Sequence, residues 1–317
     1  MRIKNRKSFI CGIKSTKLSQ NEFFFIKKNK PWGIILFQRN IKNLNQTIKL
    51  TKSIRNLFND PHYPIFIDEE GGRVSRIKNI VDNSIFTAKF FGDLYKKNKI
   101  KFYLFYNIYI NQISYVLNLI GANINTVPVL DLRRSFSHRI IGDRSFSNNK
   151  KIIDKIGDIT IDQFSKNRIG TVIKHIPGHG LSKKDTHLKL PFISKNLKYL
   201  EQNDFAVFKN KNSLFAMTAH IIFKAIDQKE CITHSKKGIK YIRKKIGFKN
   251  LIISDDISMK ALKYSFDKNV RKAYASGCNL VLHCNANLTE MNNLAKISPK
   301  VNQFIIKKTS EFYKLLS

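Results

Sequence analysis

The feature that most constrains this chain is a rhythm of short apolar runs. Eight β-branched or apolar stretches recur: residues 8–13 (SFICGI), 33–38 (GIILFQ), 64–68 (PIFID) and 123–131 (NINTVPVLD), then 170–175 (GTVIKH), 214–220 (LFAMTAH), 250–256 (NLIISDD) and 278–285 (CNLVLHCN). Segments with helical spacing separate them. A strand that pairs in parallel with its predecessor needs a crossover, usually a helix, so this alternation predicts parallel β/α units. Eight units over about 280 residues fit a TIM barrel in number and length. A doubly wound open sheet is the alternative, but the Gly-rich dinucleotide fingerprint of that fold does not follow the first strand. No Pro-, Ser- or Gly-rich linker interrupts the series. Residues 1–317 are therefore expected to form one α/β domain, a single (β/α)8 TIM barrel.

The segments between strands carry helix signals. In SKKGIKYIRKKIG, Ile239, Ile242 and Ile246 share one face, and Gly247 can supply a left-handed C-cap. The most apolar stretch, residues 101–124, places Asn107, Asn111, Ser114 and Asn118 on one helical stripe. It is expected to be an amphipathic helix packed on the core, not a membrane span, because no run approaches about 18 uninterrupted apolar residues. The basic N-terminus lacks the apolar run of a signal peptide. Cys11, Cys231, Cys278 and Cys284 form no CxxC pair and are expected as reduced, buried thiols, so the location expected is cytoplasmic.

Fifty-eight Lys and Arg against 22 Asp and Glu leave a net charge of +36. Such a charge suits a polyanion partner. The basic residues, however, run from end to end, and Lys, Asn, Ile and Phe are all abundant, as the codons of an AT-rich genome make them. Neither a specific nucleic-acid partner nor a membrane partner is expected, and nothing requires more than a monomer.

Against this basic background the acids are informative. TIM-barrel active sites form at the C-terminal ends of the strands. There the sequence places Asp68-Glu69-Glu70 before Gly71-Gly72-Arg73, and then Asp131, Lys174-His175, His220 and Asp255-Asp256. One acid or Ser at a strand end is usually a helix N-cap, as Ser254 or Asp256 could be. That accounts for one carboxylate per cluster, but not for two clusters, a Lys-His pair and a histidine-rich loop on one face.

The loop is KHIPGHGLSKKDTH, residues 174–187, with His175, His179 and His187. Metal-binding histidine pairs on a helix need i, i+4 spacing, but Pro177, Gly178 and Gly180 break any helix here. No metal or cofactor is expected. In Asp185-Thr186-His187, a carboxylate two residues from a histidine can hold one ring nitrogen and raise the basicity of the other. An imidazole with an ordinary pKa of about 6.5 suits general acid/base work near neutrality.

These motifs together resemble family 3 glycoside hydrolases, specifically the single-domain bacterial β-N-acetylglucosaminidases of peptidoglycan recycling. The chain reads KHIPGHG, DTH, IDEEGGRV, GDRSF and SDDISM where that family usually has KHFPGHG, DSH, DQEGGRV, GNRAFG and SDDLSM. The resemblance implies Asp255 as the nucleophile of a retaining double displacement and His187 as the general acid/base, oriented by Asp185. It implies Asp68, Arg76, Arg144, Lys174 and His175 as the groups that bind N-acetylglucosamine. The implied substrate is a muropeptide with a terminal non-reducing N-acetylglucosamine. A histidine in place of the second carboxylate leaves open phosphate as an acceptor instead of water, and a non-catalytic polyanion-binding barrel is the remaining alternative. His179, Asp131 and His220 are expected to support the site, and Glu70 to bond the amides of the Gly71-Gly72 turn. Glu69 replaces the usual glutamine and Asp143 the usual asparagine; both are expected to bring negative charge near the sugar. Ile176, Thr186 and Ser147 also depart from the family without removing a reacting group.

Overall fold

The computed structural model describes residues 2–135, 141–182 and 190–317. Its strands are β1 (Lys7–Gly12), β2 (Pro31–Leu36), β3 (Ile65–Ile67), β4 (Ile124–Asn125), β5 (Gly170–Ile176), β6 (Phe192–Ile193), β7 (Phe215–Thr218), β8 (Ile222–Phe223), β9 (Leu251–Asp256) and β10 (Leu280–His283). Eight of them close into a barrel in the order β1-β10-β9-β7-β5-β4-β3-β2, every neighbouring pair parallel. This is the (β/α)8 barrel that the alternation predicts.

The main departure lies at the stretch 123–131, where only Ile124–Asn125 is regular strand. Residues beyond still bond β5, as the Leu130 N–H donates to Lys174 O at 2.8 Å, but Pro128 brings no donor to a ladder. Side chains take over elsewhere: Asn125 Nδ2 donates to Glu69 O and its Oδ1 accepts the Glu69 N–H, at 2.9 and 3.0 Å. β6 and β8 form a separate two-residue sheet, too short for any sequence pattern to announce.

The helices are α1 (Gln20–Asn29), α2 (Leu44–Phe58), α3 (Ala88–Lys97), α4 (Lys99–Ile120), α5 (Lys150–Lys166), α6 (Leu197–Gln202), α7 (Lys236–Tyr241), α8 (Phe266–Ser276), α9 (Leu288–Ile297) and α10 (Gln303–Leu316). Asparagine begins many of them. Asn43, Asn98, Asn149, Asn196, Asn287 and Asn302 each accept an orphan N–H in the first turn, a use that suits a residue poor in the helix interior. After α7 the chain continues through one wider turn, Ile242–Ile246, and stops at Gly247 with φ 83°. Ile239, Ile242 and Ile246 are all buried, as their shared face predicts.

The barrel interior is filled by Trp32, Phe66 and Phe215, with ring centroids 5.8–6.1 Å apart. α10 closes the lower end: Phe312 packs on Phe215 at 5.6 Å, and Trp32 Nε1 donates to Thr309 Oγ1 at 2.9 Å. A buried indole with its N–H satisfied contributes its full apolar area. With the lower half packed solid, side chains at the opposite, C-terminal ends line the open space.

The polar stripe expected on α4 is only partly so. Asn107, Asn111 and Asn118 face outward, but Ser114 is buried. Large apolar side chains share the outer face with the asparagines. Among the described residues no helix is long and apolar enough to cross a membrane.

Candidate active site

At the C-terminal mouth lies a cavity of about 780 Å³. Asp68, Arg76, Arg144, Lys174, His175, His179 and Asp255 all line it, from five separate stretches of chain. Ile35, Phe37, Met217, Met259 and Leu282 supply an apolar wall.

Past the end of β3 the extended chain sends alternate side chains to opposite sides. Asp68 and Glu70 point to Lys174, whose Nζ lies 2.5 Å from Asp68 Oδ1, 2.6 Å from Glu70 Oε1 and 3.0 Å from Thr126 Oγ1. Arg76 Nη2 reaches Asp68 Oδ2 at 2.8 Å, and its guanidinium lies 5.5 Å from the centre of the Phe37 ring. Arg144 clasps Glu70 with two donors, Nε at 2.7 Å and Nη2 at 2.8 Å. Burial opposes ionisation of Asp68, but the charges of Lys174, Arg76 and Arg144 outweigh it and hold its carboxyl well below the usual range. Glu70 is likewise held low, burial being outweighed by Arg144 and Lys174.

Glu70 therefore does not bond the Gly71-Gly72 amides; it is the counter-ion of two cavity-lining cations. The turn itself needs its glycines. Gly71 has φ 82°, and a Cβ there would stand 2.3 Å from Phe86 O. Glu69 also differs from expectation. It points away from the cavity and is buried, with Oε2 accepting the N–H groups of Arg76 (2.6 Å) and Ile77 (3.1 Å) and Oε1 accepting Asn83 Nδ2 at 2.7 Å. Burial raises its pKa, against those donors. Its charge is thus spent on shaping the loop that presents Arg76. Asp143 lines the cavity rim and pairs with Arg73 at 2.9 Å.

β5 ends in Lys174-His175. The Lys174–His175 peptide is cis, as are Val127–Pro128 and Ile176–Pro177. Asp131, wholly buried, takes His175 Nδ1 at 2.7 Å and the His179 N–H at 2.6 Å. The Nδ1 bond orients the ring and leaves Nε2 as the atom available to the cavity that His175 lines. Burial opposes ionisation of Asp131, and the neighbouring His175 reverses the balance to keep it below its ordinary value. His179 packs edge-on against His175, centroids 5.4 Å apart; burial and His175 push its pKa down to about 4, so it is neutral at pH 7.

β9 delivers Asp255 and Asp256 to different tasks. Asp256 Oδ1 accepts the Ser258 N–H and the Cys284 N–H, both at 3.1 Å, and so stitches the following turn to the end of β10. Asp255 Oδ1 accepts the Asp256 N–H at 2.8 Å, and among the described residues Asp255 has no ion pair. Burial raises its pKa, but His220 and His175 more than compensate, so the carboxyl sits below its ordinary range. His220 is buried behind it, not in the cavity wall. Its Nε2 donates to Asp256 O at 3.1 Å, so Nδ1 accepts from Thr233 Oγ1 at 2.7 Å. Ser254 is no helix cap; its Oγ accepts the Leu282 N–H at 3.0 Å. Cys284, given no role from sequence, lines the cavity as a thiol kept protonated by burial and by Asp256 and Asp255. Among the described residues no cluster of three or more His, Cys, Asp or Glu side chains could hold a metal ion.

A profile of the glycosyl hydrolase family 3 N-terminal domain matches residues 8–308. The chain belongs to glycosyl hydrolase family 3. The beta-hexosaminidase of Haemophilus influenzae is 31% identical over 88% of this chain and 79% of its own length. That of Haemophilus ducreyi is 32% identical over 87% and 80%. The crystal structure of native NagZ from Neisseria gonorrhoeae superposes with a TM-score of 0.88 at 26% identity, covering 97% of this chain and 90% of that one.

This family 3 barrel thus brings Asp68, Arg76, Arg144, Lys174, His175 and Asp255 to one cavity, with Asp131 and His220 behind it. Asp185 and His187 lie outside the described residues. Sequence reading missed Glu70 as the partner of Arg144 and Lys174, and Thr126, Phe37 and Met217 as wall groups. The period of two past β3 already puts Glu70 on the side of Asp68 and opposite Glu69; the wall groups carry no such signal.

Proposed function

We propose that this family 3 glycoside hydrolase is a retaining exo-β-N-acetylhexosaminidase that removes terminal non-reducing N-acetylglucosamine from muropeptides. The observation that carries the reading is the contrast between the cavity's carboxylates. Asp68 and Glu70 are saturated by cations and Asp256 by amides, whereas Asp255 faces the cavity ionised and, among the described residues, without an ion pair. A carboxylate that stays ionised and carries no ion pair among the described residues is what a nucleophile must be.

In this reading Asp255 attacks the anomeric carbon as the glycosidic C–O bond breaks, and protonated His187 gives its proton to the departing oxygen. Neutral His187, held by Asp185, then takes a proton from water as that water displaces Asp255, which restores both groups. Lys174, Arg76 and Asp68 offer donors and an acceptor to sugar hydroxyls, Arg144 adds a charged donor, and His175 presents Nε2. The lysine and arginine side chains also suit the carboxylates of a peptide-bearing substrate. All four cysteines are unpaired, which fits action in the reducing cytoplasm, and the cavity is built within one chain, so a monomer suffices.

The test is turnover of a chromogenic β-N-acetylglucosaminide by wild type, Asp255→Ala and His187→Ala, each with and without phosphate. Wild-type turnover, with losses of several orders of magnitude for Asp255→Ala, supports the reading. A phosphate-dependent sugar 1-phosphate would reassign the acceptor. An inert wild type, on this substrate and on muropeptides alike, would overturn the reading.

A further inference from the structure

Thr126 immediately follows β4, where the regular strand ends. Its N–H donates to Ile67 O at 2.9 Å, while its neighbour Asn125 brackets the Glu69 N–H and C=O. The end of β4 therefore holds the backbone on both sides of Asp68. The Thr126 side chain is buried and lines the cavity. Its hydroxyl donates to Asp68 Oδ1 at 2.5 Å and accepts from Lys174 Nζ at 3.0 Å. A buried hydroxyl ordinarily needs only some partner, and a backbone carbonyl would do. Here both partners are ions, and both line the cavity.

Counting donors and acceptors shows what the hydroxyl does. An ammonium has three N–H donors. Lys174 meets three acceptors, Asp68 Oδ1 at 2.5 Å, Glu70 Oε1 at 2.6 Å and Thr126 Oγ1 at 3.0 Å. A carboxylate oxygen takes about two hydrogen bonds. Among the described residues, Asp68 Oδ1 has its two from Lys174 and Thr126, while Oδ2 has only Arg76, at 2.8 Å. We infer that Thr126 is a positioning residue for sugar binding, which fills Asp68 Oδ1, completes the tripod of Lys174 and leaves Oδ2 as the oxygen open to a sugar hydroxyl. The two carboxylates alone do not fix the lysine, because an ammonium is a point charge on a flexible stem. Threonine can fix it, being β-branched, stiff at χ1 and held by its own backbone bond to β3. Without the hydroxyl, Asp68 loses a charge-assisted donor and Lys174 keeps a proton with no acceptor, so both side chains gain freedom to turn. The inference rests on the reading of Asp68 and Lys174 as sugar-binding groups and adds the residue that sets their geometry.

The experiment is steady-state kinetics of the full chain on a chromogenic β-N-acetylglucosaminide, with thermal unfolding recorded for every variant. Wild type is compared with Thr126→Val, Thr126→Ser, Asp68→Asn and the double variant Thr126→Val/Asp68→Asn. Valine keeps the shape of threonine without the hydroxyl, and serine keeps the hydroxyl. Thr126→Val should lower kcat/KM about tenfold or more, and Thr126→Ser should stay within about threefold of wild type. In the Asp68→Asn background the loss from Thr126→Val should shrink to about twofold, because Thr126 acts through Asp68. A merely structural role would add its loss in full and would follow the unfolding temperature. The inference is overturned if Thr126→Val keeps kcat/KM within about twofold, if serine does not restore it, or if the two losses multiply. Should Thr126→Val fail to fold, Thr126→Ala takes its place in the same cycle with the same expected outcomes. A wild type inert on this substrate would overturn the proposed activity and this inference with it, whereas an active wild type with an unaffected Thr126→Val would overturn this inference alone.

Discussion

Two buried ion-pair networks sit at opposite ends of this barrel. At the lower end Arg6 pairs with Asp60, donates to Tyr313 Oη at 3.0 Å and lies 4.7 Å from the centre of the Tyr63 ring. Asp60 receives in addition the Tyr313 hydroxyl at 2.6 Å and the His62 N–H at 2.9 Å. Both charges there are paired, and α10 covers the pair in part, with Asp60 and Tyr313 half-buried. At the mouth, Lys174, Arg76 and Arg144 are also paired with Asp68 and Glu70, but the pairs line open space, and Asp255 beside them has no ion pair among the described residues. Burying ions gives specificity of structure at little net gain in stability. What separates the two networks is therefore arrangement: the lower one joins Arg6, Asp60 and Tyr313 to one another, while the upper presents paired cations and an ionised Asp255 to the cavity.

The sharpest test of that contrast is Asp255→Asn. Turnover should fall by about three orders of magnitude or more, while thermal unfolding changes little, because the Asn amide oxygen can still accept the Asp256 N–H and no ion pair among the described residues is lost. A variant that loses stability in proportion to activity would erase the distinction. Lys174→Met should move both quantities. It leaves Asp68 and Glu70 without their shared cation, which costs about 3–5 kcal/mol, and the folded fraction should show a kcat/KM lowered about a hundredfold. Arg6→Met should cost about 3 kcal/mol in denaturant titration yet leave KM of the folded enzyme within about twofold. A large KM change there would show that the lower network communicates with the mouth.

Smaller effects are expected at Glu69. Glu69→Ala should raise KM by about tenfold through the loop that carries Arg76, and cost about 1–3 kcal/mol from unsatisfied amides. Glu69→Gln should keep KM within about threefold, since its Oε1 can take the Arg76 and Ile77 donors while its Nε2 faces an Asn83 amide free to turn. The pH dependence gives the sign. Burial raises the Glu69 pKa, so its neutral form favours folding below the ordinary value of 4.5, and that contribution is lost as pH rises through the folded value. The melting temperature of Glu69→Gln should thus exceed that of wild type at pH 7 by less than about 3 °C, and the gap should close toward pH 4.5. Asp60, Asp68, Asp131 and Asp255 are held below 3.8, so the stability they contribute is present above that value and drains as pH falls through their folded values.

Periodicity and strand-end chemistry were enough to read the barrel and most of its mouth from the chain. An apolar run must be buried wherever it lies, and a parallel barrel carries all its strand ends to one face, so Asp68, Lys174, His175 and Asp255 share a cavity by topology alone. Local propensity likewise determined the asparagine caps and the Gly247 stop, which need only their own turn. Tertiary structure alone decided which carboxylate does what. Glu69 turns inward to a loop backbone, Glu70 to two cations and Asp256 to amides, because each answers to donors brought from distant parts of the chain. It decided also that Ser114 is buried while Ile108 is not, since a helix apolar on both faces does not state which one the barrel will cover.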